Sequence, residues 1–127
     1  MIQIRSVLTV LDTSGVREIR SFDVPGKKGG SRATAGVIGD KVTGSVFRLR
    51  PGSVSELKKG DVVRGVLVTT KKGLMRANGT AVRFPENGVV LVTEKGEPLG
   101  VRIRACLPID LRAKGHRKLL LMADSIV

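Results

Sequence analysis

A chain of 127 residues with 23 Lys and Arg against 11 Asp and Glu has a formal net charge of +12. It is long enough for one hydrophobic core and too short for two, and its charge calls for a polyanionic partner. A hydrophobic fraction of 41% excludes a disordered basic tail, because disorder pairs high net charge with few residues of the buried type.

In chain order, short runs rich in Val, Ile and Leu fall at residues 2–10, 16–24, 37–47, 61–70, 74–84 and 89–94. Such spacing between Gly, Pro, Asn and Asp predicts a small antiparallel β-barrel or sandwich. Asp12-Thr13-Ser14-Gly15 reads as the first turn. Pro25-Gly26-Lys27-Lys28-Gly29-Gly30-Ser31-Arg32 has no apolar anchor and reads as an exposed loop that ends on RNA. Asn78-Gly79 predicts a tight hairpin with a type I′ turn, in which both central residues take positive φ. From Pro108 onward, Ile109, Leu111 and then residues 119–123 favour helix and are interrupted at Gly115, which predicts two short helices closing the barrel. With no repeat and no linker, residues 1–127 are expected to form one domain, a barrel to about 105 and a helical segment over about 106–127. The alternating start MIQIRSVLTV is unlike a signal peptide, and no run approaches the roughly 20 apolar residues that span a bilayer, so a soluble, intracellular protein without membrane attachment is expected.

The basic residues are not scattered evenly. Arg17, Arg20, Lys27, Lys28, Arg32, Arg48, Arg50, Lys58 and Lys59 lie near predicted loops with few acids between them, and Lys71, Lys72, Arg76 and Arg83 gather on the hairpin. That recurrence predicts an RNA face rather than a merely solvated surface. Trp and Tyr are absent and only Phe22, Phe47 and Phe84 remain, so the chain is read as lacking the aromatic stacking of single-strand readers and as gripping phosphates instead. A cysteine hydrolase fails on context: Cys106, between Ala105 and Leu107, reads as a small buried hydrophobe, and His116, among Lys114, Arg117 and Lys118, as a cationic surface residue. One cysteine makes neither an internal disulfide nor a cysteine-based metal site, which suits a reducing compartment. Asp12, Asp40 and Asp61 stand beside turns, where Asp caps backbone amides. GKKGGS lacks the spacing of a nucleotide-binding loop. No catalytic residue, metal or cofactor is expected.

Gly65-Val66-Leu67-Val68, then Asn78-Gly79, Phe84, Asn87 and Val90-Leu91, reproduce the residue types and spacing of a long diagnostic pattern. It resembles that of the universal large-subunit ribosomal protein fourteen family. Asp12-Thr13-Ser14-Gly15-Val16-Arg17, Lys58-Lys59-Gly60-Asp61-Val62-Val63 and Pro98-Leu99-Gly100-Val101-Arg102-Ile103 resemble further family segments, so the likeness runs the length of the chain. It implies an all-β fold, a small five-stranded barrel with a projecting β-hairpin and short C-terminal helices, and an architectural role without chemistry. The implied partners are large-subunit rRNA, large-subunit ribosomal proteins three and nineteen, small-subunit rRNA at an intersubunit bridge, and a ribosome-silencing factor. It also turns the C-terminal part, with Arg102, Arg104, Arg112, Lys114, Arg117 and Lys118, toward the small subunit and protein partners. Thr13 stands where the family has Asn, Val101 where it has Thr, Arg104-Ala105-Cys106 where bacteria have Phe-Gly-Pro, and His116 where an aromatic is common. These departures point to a ribosome of the mitochondrial matrix, with the bacterial cytoplasm or a plastid as alternatives. A free RNA-binding chaperone or translational regulator would need the same charge and is the rival reading.

Overall fold

A computed structural model describes residues 2–24, 36–52 and 56–127. The loop expected at 25–32, with Lys27, Lys28 and Arg32, lies outside the described residues. The strands are β1 (Val7–Val10), β2 (Val16–Asp23), β3 (Lys41–Leu49), β4 (Val62–Thr69), β5 (Leu74–Met75), β6 (Ala81–Val82), β7 (Gly88–Val92), β8 (Ile103–Leu107) and β9 (Ala123–Ile126). β1, β2, β3, β4 and β7 pair in that order into a closed barrel, antiparallel throughout except where β1 meets β7 in parallel and completes the ring. This is the five-stranded barrel that the family resemblance implies.

Period-two alternation fills the barrel. Leu8, Val10, Ile19, Val42, Val46, Val63, Leu67, Val89 and Leu91 are buried together inside it, with Ile2 and Val24 added to the same cluster. β4 and β7 bury their other face as well. Val66, Val68, Val90 and Val92 pack outward against Ile103, Leu107, Leu111, Leu119 and Leu120 of the C-terminal segment. A strand covered on both faces must be apolar at every position, which explains the unbroken run Val89-Val90-Leu91-Val92.

The covering segment corrects one expectation. The 3-10 helix Ile109–Arg112 and the helix α1 (Arg117–Met122) are both present, separated by Gly115 at φ +86°, but they lie over the outer face of β4 and β7 rather than across an end of the barrel. They are also framed by two strands that no periodicity announced: β8 and β9 pair in parallel, with Ile103 beside Ala123 and Leu107 beside Ile126.

Buried Asp12 fixes the barrel seam. Its Oδ1 accepts the Ser14 amide at 3.0 Å and its Oδ2 accepts the Leu91 amide of β7 at 3.0 Å. Asp40 and Asp61 behave alike, accepting the Val37 amide at 2.9 Å and the Lys58 amide at 2.7 Å, so all three acids cap backbone as the sequence predicts.

The hairpin β5–β6 exists, with Leu74 opposite Val82 and Met75 opposite Ala81, but its turn is not type I′. Gly79 has φ +85°, whereas Asn78 does not take positive φ. The Gly79 amide donates to the Arg76 carbonyl at 3.0 Å and the Arg76 amide to the Thr80 carbonyl at 2.8 Å, the bonds of a three-residue loop in which only the last residue is left-handed. Asn78 favours this geometry by accepting the Thr80 amide at 3.1 Å and its hydroxyl at 2.6 Å.

Candidate nucleic-acid interface

Strand β2 and the first half of β3 turn Ile19, Ser21, Val42, Gly44 and Val46 inward, which leaves Arg17, Arg20 and Arg48 on the outside. Lys58 and Lys59 are exposed on the approach to β4, and Lys71, Lys72 and Arg83 are exposed at the base of the hairpin. The Lys71 amide donates to Asn87 Oδ1 at 2.9 Å, which ties the lysine pair to the start of β7. Arg50 is half-buried and its guanidinium donates to the Val10 carbonyl at 3.2 Å, so it braces a barrel end.

Arg76 departs from its expected role. Its Nε lies 3.1 Å and its Nη2 3.0 Å from Asp110 Oδ2, and Nη2 also donates to the Val127 carbonyl at 2.6 Å. With 23% of its side chain exposed, it clamps the hairpin to the C-terminal segment instead of facing solvent with Lys71 and Lys72.

On the C-terminal segment, Arg104 and Arg112 are exposed, and Arg102 pairs with Asp124 at 2.9 Å, linking β8 to β9. Val101 is 88% exposed, while the amides of Val101 and Arg102 donate to Thr13 Oγ1 at 3.1 and 3.3 Å. Thr13 therefore anchors this loop to the first turn. Lys114, Arg117 and Lys118 converge on a cleft of about 520 Å³ together with Lys41, Lys95 and His116. Lys41 and Lys95 were not singled out in the sequence, since they start β3 and follow β7 and only the fold brings them together. Two acids temper the cleft: Glu97 lies 3.4 Å from Lys118 and Asp40 4.0 Å from Lys114. Lys114 Nζ donates to the Ile38 carbonyl at 2.6 Å and His116 Nε2 to the Gly39 carbonyl at 2.9 Å, so both also lock the turn before β3. His116 is thus half-buried and bonded rather than a simple surface cation.

The aromatic residues also depart from expectation. Phe84 packs against the outer core, but Phe22 is exposed and Phe47 half-exposed, both on the outer side of β2 and β3. The Arg20 guanidinium lies 4.4 Å, and that of Arg48 5.3 Å, from the centre of the Phe47 ring. The signal was present in the alternation Ile19, Arg20, Ser21, Phe22, in which phenylalanine falls on the polar face.

A closed, well-filled barrel whose outer surface carries cations on the β2–β3 wall, the hairpin base and a C-terminal cleft belongs to the class of RNA-binding β-barrels. The model of the family described as ribosomal protein L14p/L23e matches residues 1–127, and the chain belongs to that family. It is accordingly a structural, rRNA-binding protein of the large ribosomal subunit, from a family of structural proteins rather than enzymes.

Proposed function

We propose that the chain holds large-subunit rRNA through phosphate contacts made by Arg17, Arg20, Lys27, Lys28, Arg32, Arg48, Arg50, Lys58, Lys59, Lys71, Lys72 and Arg83. The C-terminal segment, with Arg102, Arg104, Arg112, Lys114, Arg117 and Lys118, contributes to the intersubunit surface and to contacts with proteins. The observation that carries this reading is the exposure of cations on the barrel wall, at the hairpin base and on the C-terminal segment, within a chain matched over residues 1–127 by a ribosomal family. Arg76 is left out of the rRNA set because Asp110 and the Val127 carbonyl occupy its guanidinium.

On this reading its neighbours are ribosomal proteins three and nineteen of the large subunit, small-subunit rRNA across a bridge, and a silencing factor. Thr13, Val101, Cys106 and His116, where the chain departs from the bacterial pattern, favour a mitochondrial ribosome over a bacterial or plastid one. The test is sedimentation of a lysate, with the tagged chain followed through a sucrose gradient. It should travel with large subunits and joined ribosomes, and replacing Lys71, Lys72 and Arg83 by Ala should shift it toward lighter fractions. A wild-type chain found mainly in ribosome-free fractions would instead favour the chaperone or regulator.

A further inference from the structure

The pairing of β2 with β3 slips three times within eight residues of β2. Val16 faces Leu49 and Glu18 faces Arg48, which leaves Arg17 without a cross-strand partner. Ile19 then faces Val46, which leaves out Phe47, and Ser21 faces Gly44 while Asp23 faces Thr43, which leaves out Phe22. A bulge of this kind turns the extra side chain away from the ladder and sharpens the local twist. The strands must also approach closely, since a Cβ on Gly44 would lie 2.5 Å from the Arg20 carbonyl oxygen. The exposed Phe22 and the half-exposed Phe47 are therefore both bulge residues.

Phe22 is 47% exposed, although a ring of that size would be better satisfied in either core. Arg20, two residues before it in β2, is exposed as well, and its guanidinium lies with that of Arg48 against the half-exposed ring of Phe47 in β3. Glu18 and Asp23 are the acids of β2; Glu18 lies 3.6 Å from Arg48, and Asp23 ends the strand. Among the described residues Arg20 has no acidic partner. The outer side of β2 and β3 thus carries an exposed aromatic ring at Phe22 and, at Phe47, a ring already flanked by guanidinium groups, with arginines in excess of acids. Unpaired nucleotides are held by such surfaces, because every base has a π-face for an aromatic ring or guanidinium plane and carries a phosphate for a cation.

We propose that the outer wall of β2 and β3 is a stacking platform for an unpaired RNA base, which lies on Phe22 while Arg17 and Arg20 meet the adjoining phosphates. The proposal rests on the rRNA-binding reading and adds to it a contact that depends on the base. The experiment compares the isolated full-length chain binding an oligoadenylate of about a dozen nucleotides and an abasic oligomer with equally many phosphates, by fluorescence anisotropy at several salt concentrations. The wild type should prefer the oligoadenylate by about 5- to 150-fold, the ratio equivalent to about 1–3 kcal/mol for one stacked base. Phe22→Ala should bring the ratio close to one without altering the melting temperature or the salt dependence, and Phe22→Trp should restore it. Equal affinity of the wild type for both oligomers, or equal weakening of both by Phe22→Ala, would overturn the platform while a steep salt dependence left the phosphate reading standing. Binding of both oligomers that is flat with salt would overturn the two together.

Discussion

At Arg76 a cation that composition assigns to phosphate is taken up by the protein itself. The pair with Asp110 is partly exposed, at 23% and 38% of the two side chains, so solvent screening limits its worth. A double-mutant cycle of Arg76→Ala and Asp110→Ala should give a coupling of about 0.5–1 kcal/mol in chemical denaturation, and strict additivity would mean that the ion pair adds nothing to the clamp. Gly79 poses a cleaner single-residue test. Apart from its chain neighbours nothing lies within 4 Å of where its Cβ would stand, so the chief cost of a Cβ there is its φ of +85°. Gly79→Val should destabilise the chain by about 1–3 kcal/mol and lower the melting temperature by several degrees. An unchanged melting temperature would show that the loop does not hold its last residue left-handed.

Among the elements, apolar runs bounded by turn residues were legible: residues 16–24 and 61–70 contain β2 and β4, residues 89–94 take in β7 except for its first residue, Gly88, and Asn78-Gly79 does mark the hairpin. The turn type was not, because the hydrogen bonds of Asn78 to Thr80 decide between two loops that share the same dipeptide. β8 and β9 were missed for a physical reason. Ile103 and Leu107 are buried with three less buried residues between them, and Ala123-Asp124-Ser125 is poor in β-formers, so neither shows alternation. The bulges at Phe47 and Phe22 and the convergence of Lys41 and Lys95 on the cleft depend on register and closure, which no local window contains. Closure itself leans on Asp12. Asp12→Ala would leave the Leu91 and Ser14 amides without their acceptor, at a cost of about 2–3 kcal/mol read from urea unfolding, and Asp12→Asn should cost less because one acceptor oxygen remains. Equal stability of Asp12→Ala and the wild type would mean that the seam is held by the β1–β7 ladder alone.

Over the whole molecule the net charge of +12 is divided between surfaces that should serve different steps. Lys71, Lys72 and Arg83 are exposed at the hairpin base and none has an ion pair among the described residues, so their removal should subtract phosphate contacts without disturbing the fold. Each lost contact should flatten the log–log dependence of RNA affinity on salt by about 0.7–0.9. The triple variant to Ala should therefore enter large subunits poorly, and those subunits that contain it should join normally. Arg102 lies on the other group and has a structural bond as well, to Asp124, so Arg102→Ala alone would confound two effects. Asp124→Asn is the control, because it weakens the same bond and keeps the guanidinium. If Arg102 works on the intersubunit surface, Arg102→Ala should lower the fraction of joined ribosomes while incorporation stays near the wild type, and Asp124→Asn should leave joining intact. A joining defect shared by both variants would assign Arg102 to the β8–β9 pair instead. Failure of Arg102→Ala to enter the subunit, with normal entry of the hairpin triple variant, would reverse the two faces.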